Sequence, residues 1–159
     1  MGDFGFQPVI ILGAPRSGTN MLRDALTRLS GIETWPCDEI NYIWRHGNVR
    51  YVSDEIPAEN ATGSVAGYIR GCFNSMGRRT GAETLVEKTC ANCLRVPFVD
   101  EVVPEARYIY IVRDGIDAAG SARQRWTAGL DPSPCHSHQR FRRQSRGSPH
   151  TSLLHARKI

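Results

Sequence analysis

The sequence GAPRSGT at positions 13–19 carries the residue types that bind an oxyanion. The guanidinium of Arg16 presents a planar fork of N–H donors that matches phosphate or sulfate oxygens, and Ser17 and Thr19 add hydroxyl donors. Gly13 and Gly18 allow the backbone to wrap closely around the anion. These residues predict an anion site, and the alternative is a tight turn without a ligand.

The flanking segments predict that this loop joins a strand to a helix. Residues 8–12, PVIIL, form a short apolar run typical of a buried parallel strand. After the loop, Leu22, Leu26 and Leu29 recur at helical spacing, and Gly31 is expected to end the helix. Because the first amides of a helix lack intrahelical partners, its N-terminus favours an anion.

The loop lacks the lysine of an ordinary nucleotide-triphosphate P-loop. That pattern requires Lys and then Ser or Thr after the second glycine, whereas Gly18 is followed here by Thr19 and Asn20. The difference argues against an ordinary ATPase or GTPase. A nucleotide kinase-like protein with a degenerate P-loop remains an alternative.

Strands and helices alternate along the rest of the chain. Strands are predicted at 84–88 and 107–112, a short strand or extended link at 32–36, and helices at 37–45, 64–76, 97–103 and 116–126. This alternation predicts an α/β fold with a central parallel sheet flanked by helices, in three P-loop-like layers.

Basic side chains follow three of the predicted strands. Arg16, Lys88 and Arg113 should face one crevice, because ligands of such sheets bind beyond the carboxyl ends of the strands. Three cations around one crevice predict a multiply anionic ligand. The alternatives are a solvated Lys88 that pairs with Glu87 and an Arg113 that pairs with a neighbouring aspartate.

The charge distribution bears on possible partners. The 159-residue chain has a net charge of +4, but residues after position 130 carry +5 and the body carries −1. We therefore expect no nucleic-acid binding by the body. The apolar runs are too short to span a bilayer, and the N-terminus has no signal-peptide core, so no membrane association and a cytoplasmic location are expected.

The cysteine content also favours a cytoplasmic location. Five cysteines, an odd number, fit a reducing compartment. Cys90 and Cys93 have CxxC spacing, but no second ligand pair lies at the usual distance, so no metal site is predicted.

Two segments together resemble the PAPS-dependent sulfotransferases, where PAPS is 3′-phosphoadenosine 5′-phosphosulfate. Residues 13–19 are similar to the family's 5′-phosphosulfate loop. Residues 108–117, YIYIVRDGID, with Ser121 beyond them, are similar to its 3′-phosphate segment. A third segment, 86–89 with Asn92, resembles bacterial and protein-tyrosine sulfotransferase relatives, which often carry proline at the position of Cys90.

The resemblance implies specific roles. The residues that would hold the 5′-phosphosulfate are Arg16, Ser17, Gly18, Thr19 and Asn20. Arg113 and Ser121 would hold the 3′-phosphate, although Ser121 alone could instead bond its own helix backbone. Lys88, with Arg16, would stabilise the transferring sulfuryl group or the leaving phosphate oxygens.

A base must take the acceptor's proton, and Glu39 is the candidate. It lies where protein-tyrosine sulfotransferase relatives carry a catalytic glutamate, and its apolar neighbours are expected to raise its pKa. The alternative is an acidic residue at a helix N-terminus, and Asp38 is the nearest rival for the base, although it fits better as the cap. His46, the one histidine before position 131, resembles an exposed helix end.

The sequence changes character near position 130. Residues 1–130 are predicted to form an incomplete sulfotransferase-like domain, and residues 131–159 a basic, disordered tail in place of the family's C-terminal portion. The resemblance implies a sulfotransferase that uses PAPS and a hydroxyl or amine acceptor, as a truncated, weakly active member. The alternatives are the kinase-like protein and a non-catalytic remnant.

Overall fold

The computed structural model describes residues 3–127. Its strands are β1 (Gln7–Gly13), β2 (Ile32–Thr34), β3 (Thr84–Lys88) and β4 (Arg107–Ile111). Its α-helices are α1 (Thr19–Leu26), α2 (Asn41–Trp44), α3 (Gly63–Thr80), α4 (Val96–Val102) and α5 (Gly115–Thr127). Short 3₁₀ helices span Ala58–Asn60 and Cys90–Leu94.

The strands form one parallel sheet in the order β2-β3-β1-β4. Ile11 of β1 lies opposite Lys88 of β3, and Gly13 lies opposite Ile111 of β4. The carboxyl ends of β1 and β4 are therefore level, and β3 ends two residues earlier on the same edge of the sheet. The predicted α/β fold with a central parallel sheet is confirmed.

The connections reverse direction at β2. The chain crosses from β1 to β2 one way, then returns from β2 to β3 and from β3 to β4 the other way. Right-handed crossovers place α1 on one face of the sheet and α3 and α4, which pack together, on the other. Such a reversal leaves a crevice beyond the carboxyl ends of β1 and β3, where ligands of α/β sheets bind.

The core lies between the sheet and α3. Phe73 of α3 is fully buried, and its ring meets Trp35 and Trp44 edge-on at centroid distances of 5.5 and 5.6 Å. Burying an aromatic side chain of this size contributes about 1.5–3 kcal/mol. These contacts hold the segment 35–44, which carries Glu39, against α3.

Two predicted helices are shorter than expected. The first ends at Leu26 rather than Leu29, and Gly31, at φ +76°, comes after a further turn. The second is a single turn that starts after Ile40, so the prediction of Asp38 as its cap is wrong. The side chain of Asp38 instead pairs with distant cations, as described below.

The predicted tail, 131–159, lies outside the described residues, and the boundary at 130 stays a prediction. Within residues 3–127 no helix is both long and apolar enough to cross a bilayer.

Candidate active site

The loop after β1 is a tight turn. The amide of Ser17 donates to the carbonyl of Ala14 at 3.2 Å, and Arg16 adopts a left-handed conformation at φ +71°. A non-glycine residue in this region costs about 1–3 kcal/mol and is often found at functional sites. Gly18, at φ +95°, then starts α1.

Arg16, Arg113 and Ser121 come together although they are far apart in sequence. Nε of Arg16 donates to Oγ of Ser121 at 3.1 Å, and Nη1 of Arg113 donates to the carbonyl of Arg16 at 2.7 Å. The carboxylate of Asp114 accepts from the amides of Ile116 and Asp117 at the start of α5, and among the described contacts it forms no ion pair with Arg113. The two predicted phosphate-binding segments thus form one continuous site.

The N-terminus of α1 faces this site. Ser17 and Thr19 are buried, and Asn20 is exposed on the first turn. In the described chain no side chain caps α1, so its first amides are available to an anion. A Cβ at Gly13 would lie 2.7 Å from Cγ2 of Thr19, so only glycine leaves room for this close packing.

Lys88 lies at the end of β3 and is only 3% exposed. Its Nζ donates to Oε1 of Glu39 at 2.9 Å and to Oδ1 of Asp38 at 3.3 Å. Asp38 also accepts from Nη1 of Arg23, on α1, at 2.8 Å. The buried ammonium is thus matched by two partly exposed carboxylates, and it is not the solvated partner of Glu87.

The pKa of Glu39 is lowered, and the expectation of a raised pKa is wrong. Burial by itself would raise it, but the hydrogen bond from Lys88 and those from Cys90 outweigh burial. For Asp38, burial is likewise outweighed by Arg23 and Lys88, and its pKa is lowered. Both carboxylates are therefore ionised at neutral pH.

Cys90 connects the two halves of the site. Its amide donates to Oε1 of Glu39 at 3.3 Å, and its Sγ lies 3.8 Å from Oγ1 of Thr19. Burial, together with the neighbouring Glu39, raises the pKa of the thiol to about 11, so the thiol stays protonated and is a poor nucleophile. Among residues 3–127 no group of His, Cys, Asp or Glu side chains is arranged to hold a metal ion.

A second carboxylate, Glu87, lies beneath the site and is fully buried. Burial raises its pKa to about 7, although hydrogen bonding from Thr89 and the charges of Lys88 and Arg95 oppose the shift. Thr89 donates to it at 2.5 Å, and Asn92 donates to it at 2.9 Å. This network is connected to the Glu39 segment, because Oγ1 of Thr89 also accepts from the amide of Ile40.

Comparison with known proteins identifies the family. A family model described as the sulfotransferase family matches residues 8–147, which is most of the chain. The chain belongs to the sulfotransferase family. No curated protein matches it. The family predicted from the sequence is confirmed, and the sulfotransferase is a transferase at family level.

The structure brings the predicted site residues of this sulfotransferase into two linked groups. Arg16, Arg113 and Ser121 form the first with the N-terminus of α1, and Glu39 and Lys88 form the second. The contact between Thr19 and Cys90 joins them. His46, in contrast, lies beyond α2 and stacks on Tyr68 with the ring centroids 3.6 Å apart.

Several site residues were not recognised from the sequence. The sequence offers Cys90 as half of an incomplete CxxC pair and Asp38 as a cap or a rival base, and it predicts neither the contacts of Cys90 with Glu39 and Thr19 nor the pairing of Asp38 with Lys88. Thr89 and Glu87 lie within the VEKT segment that resembles relatives, and this resemblance was the available signal. Arg95 gave no signal, because two of its partners, Asp54 and Asn41, lie 41 and 54 residues away in sequence.

The segment 35–43, which carries Glu39, also lines a cavity of about 410 Å³ beside α3. Trp35 and Ile43, which lie on either side of Glu39 in sequence, form one wall. Tyr68, Met76 and Arg79 are among the residues of the opposite wall. The segment 35–43 therefore contacts Lys88 through Glu39 and also bounds an apolar cavity.

Proposed function

We propose that this sulfotransferase transfers a sulfuryl group from PAPS to a hydroxyl or amine acceptor. The observation that carries the proposal is the meeting of Arg16, Arg113 and Ser121 from two separate motifs. A single anion-binding loop has no use for a second cationic segment, whereas a nucleotide with phosphates at both the 5′ and 3′ positions needs both.

The loop and the start of α1 would hold the 5′-phosphosulfate. The residues assigned to it are Arg16, Ser17, Gly18, Thr19 and Asn20. Their contribution would combine the free amides of α1, the hydroxyls, and the charge of the Arg16 guanidinium. Arg113 has further N–H donors besides the one bound to the Arg16 carbonyl, and with Ser121 it would hold the 3′-phosphate.

Glu39 and Lys88 would act on the reacting atoms. Glu39, ionised because its pKa is low, would take the acceptor's proton as the acceptor oxygen or nitrogen bonds to sulfur. Lys88 would donate to the sulfuryl or leaving phosphate oxygens while the bond between sulfur and the phosphate oxygen breaks. The products are the sulfated acceptor and PAP, the 3′,5′-bisphosphate of adenosine.

Calorimetry with PAP and with 5′-AMP tests the donor assignment. The nucleotides differ only by the 3′-phosphate, and charge-assisted hydrogen bonds to it should contribute about 1.5–3 kcal/mol, or roughly ten- to a hundredfold in affinity. Arg113→Met should remove this preference. Arg123→Met, a matched change at an exposed arginine on α5, should retain it.

The same titration separates the alternatives. Equal affinities for PAP and AMP would exclude PAPS as the donor, and tight binding of magnesium ATP would favour the nucleotide kinase-like protein. Preference for PAP without sulfuryl transfer to any acceptor would favour the non-catalytic remnant.

A cytoplasmic location forms part of the proposal. Its support is that the four cysteines among the described residues, Cys37, Cys72, Cys90 and Cys93, are free thiols, as is usual in a reducing compartment. Fractionation of cells that express the chain tests this.

A further inference from the structure

A buried hydrogen-bonded network reaches the backbone directly after Glu39. Oγ1 of Thr89 donates to the carboxylate of Glu87 at 2.5 Å and accepts from the amide of Ile40 at 3.2 Å. Both Thr89 and Glu87 are fully buried. The peptide that links Glu39 to Ile40 is thus fixed to a carboxylate in the core.

A second branch of the network reaches the next residue, Asn41. Asn92 donates to the other oxygen of Glu87 at 2.9 Å and accepts from Nε of Arg95 at 2.9 Å. Nη2 of Arg95 then donates to Oδ1 of Asn41 at 2.5 Å. Asn92 and Arg95 are at most 1% exposed, so water cannot readily replace these bonds.

The residue after Thr89 contacts the carboxylate of Glu39 itself. The amide of Cys90 donates to Oε1 of Glu39 at 3.3 Å, on the same oxygen that accepts from Lys88. Any shift of the backbone at 89–90 would therefore move two groups together: the Cys90 amide that donates to Glu39 and the Thr89 hydroxyl that accepts from the amide of Ile40. Misplacing a reacting group by about 1 Å can cost a hundredfold in rate.

We propose that Thr89 is a positioning residue, anchored by the buried Glu87, that holds the carboxylate of Glu39 in the orientation needed for proton transfer. The inference rests on the proposed role of Glu39 as the base. Burying a carboxylate among polar partners is expensive for folding, and apolar side chains would fill the same space at lower cost. Both branches end on the two residues after Glu39, which fits a positioning role better than a purely stabilising one.

The decisive comparison is Thr89→Val against Thr89→Ser in the 159-residue chain. Valine removes the hydroxyl and keeps the shape, whereas serine keeps the hydroxyl. With valine, the pKa of Glu39, followed by carbon-13 NMR of its carboxyl group, should rise toward that of an exposed glutamate. Single-turnover sulfuryl transfer should fall roughly ten- to a hundredfold, with PAP affinity changed less than twofold. With serine, both quantities should stay near wild type.

Thr80→Val is the matched control, because the Thr80 hydroxyl bonds only helix carbonyls of α3, Met76 and Gly77, among the contacts described. It should leave the pKa of Glu39 and the turnover unchanged. If Thr89→Val does not fold, Asn41→Ala, which cuts the second branch, is measured instead and should raise the pKa of Glu39 in the same direction. An unchanged pKa of Glu39 in a folded variant would refute the inference.

Glu39→Gln separates this inference from the proposed function. If Glu39→Gln retains full turnover while Thr89→Val still moves the pKa of Glu39, the base assignment fails and the positioning contact stands. If Glu39→Gln abolishes turnover but Thr89→Val changes neither the pKa nor the rate, the positioning role alone fails.

Discussion

Replacing the buried Glu87 by glutamine should change how the stability of the fold depends on pH. Burial raises the pKa of Glu87 from 4.5 to about 7 in the folded chain. Below pH 4.5 the carboxyl is protonated in both states, so its ionisation does not affect folding. Between pH 4.5 and 7 only the folded chain keeps the proton, and the free energy of unfolding falls as the pH rises.

The size of this effect follows from the two pKa values. One pKa unit corresponds to about 1.4 kcal/mol, so ionisation of Glu87 should destabilise the fold by about 3 kcal/mol at pH 8 relative to pH 4. Glutamine does not titrate, but its amide nitrogen cannot accept a hydrogen bond from Asn92, which costs about 1–3 kcal/mol. Glu87→Gln should therefore be less stable than wild type at pH 4 and equal or more stable at pH 8.

Urea denaturation at pH 4 and pH 8 measures the free energy of unfolding, and the value for wild type is subtracted from that for the variant at each pH. Taking the difference cancels the carboxylates common to both chains. Glu101→Gln, at an exposed position on α4, is the matched control and should show no such reversal. If the difference between Glu87→Gln and wild type is the same at both pH values, the buried carboxyl does not titrate as the structure implies.

Two further predictions address the reaction and the loop. Glu39→Gln should lower turnover by about a hundredfold to ten-thousandfold while PAP affinity, measured by calorimetry, stays within twofold. If turnover survives this change but is lost in Asp38→Asn, the base is Asp38 and not Glu39. Gly13→Ala should weaken PAP binding about tenfold or more, because the new Cβ would meet the methyl group of Thr19 at 2.7 Å. Gly71→Ala, where a Cβ meets open space, should leave the affinity unchanged, and equal effects of the two alanines would contradict a close-packed loop.

The sheet could be predicted from the sequence because its strands are short apolar runs with clear ends. The third strand, Thr84–Lys88, has the predicted bounds, and the last one ends one residue earlier than predicted. The strands β1 and β3 are largely buried, and β4, although partly exposed, is rich in aromatic and β-branched residues, so local composition is sufficient to find them.

The region around Glu39 could not be predicted in the same way. A helix was expected over 37–45, but Asp38 and Glu39 turn toward Arg23 and Lys88, up to 50 residues away in sequence, and the helix is limited to one turn. The same pairing reverses the predicted shift in the pKa of Glu39. The apolar neighbours that would raise the pKa of Glu39 are adjacent in the sequence. Lys88, which together with Cys90 outweighs them and lowers the pKa, is brought close only by the fold.

The pairing of Glu39 with Lys88 has a consequence for the order of events in the proposed reaction. A carboxylate held by an ammonium at 2.9 Å and by a backbone amide is a weak base, because both donors stabilise its charge. The basicity of Glu39 increases only when one of these hydrogen-bond donors moves to another acceptor. Lys88 is the one with a competing acceptor, the oxygens of the sulfuryl group. Asp38, which Arg23 also holds, can keep part of the contact to Lys88 during that change. PAPS, the sulfuryl donor, should therefore bind before Glu39 becomes an effective base. This order limits proton transfer to the complex in which the sulfuryl group is in place.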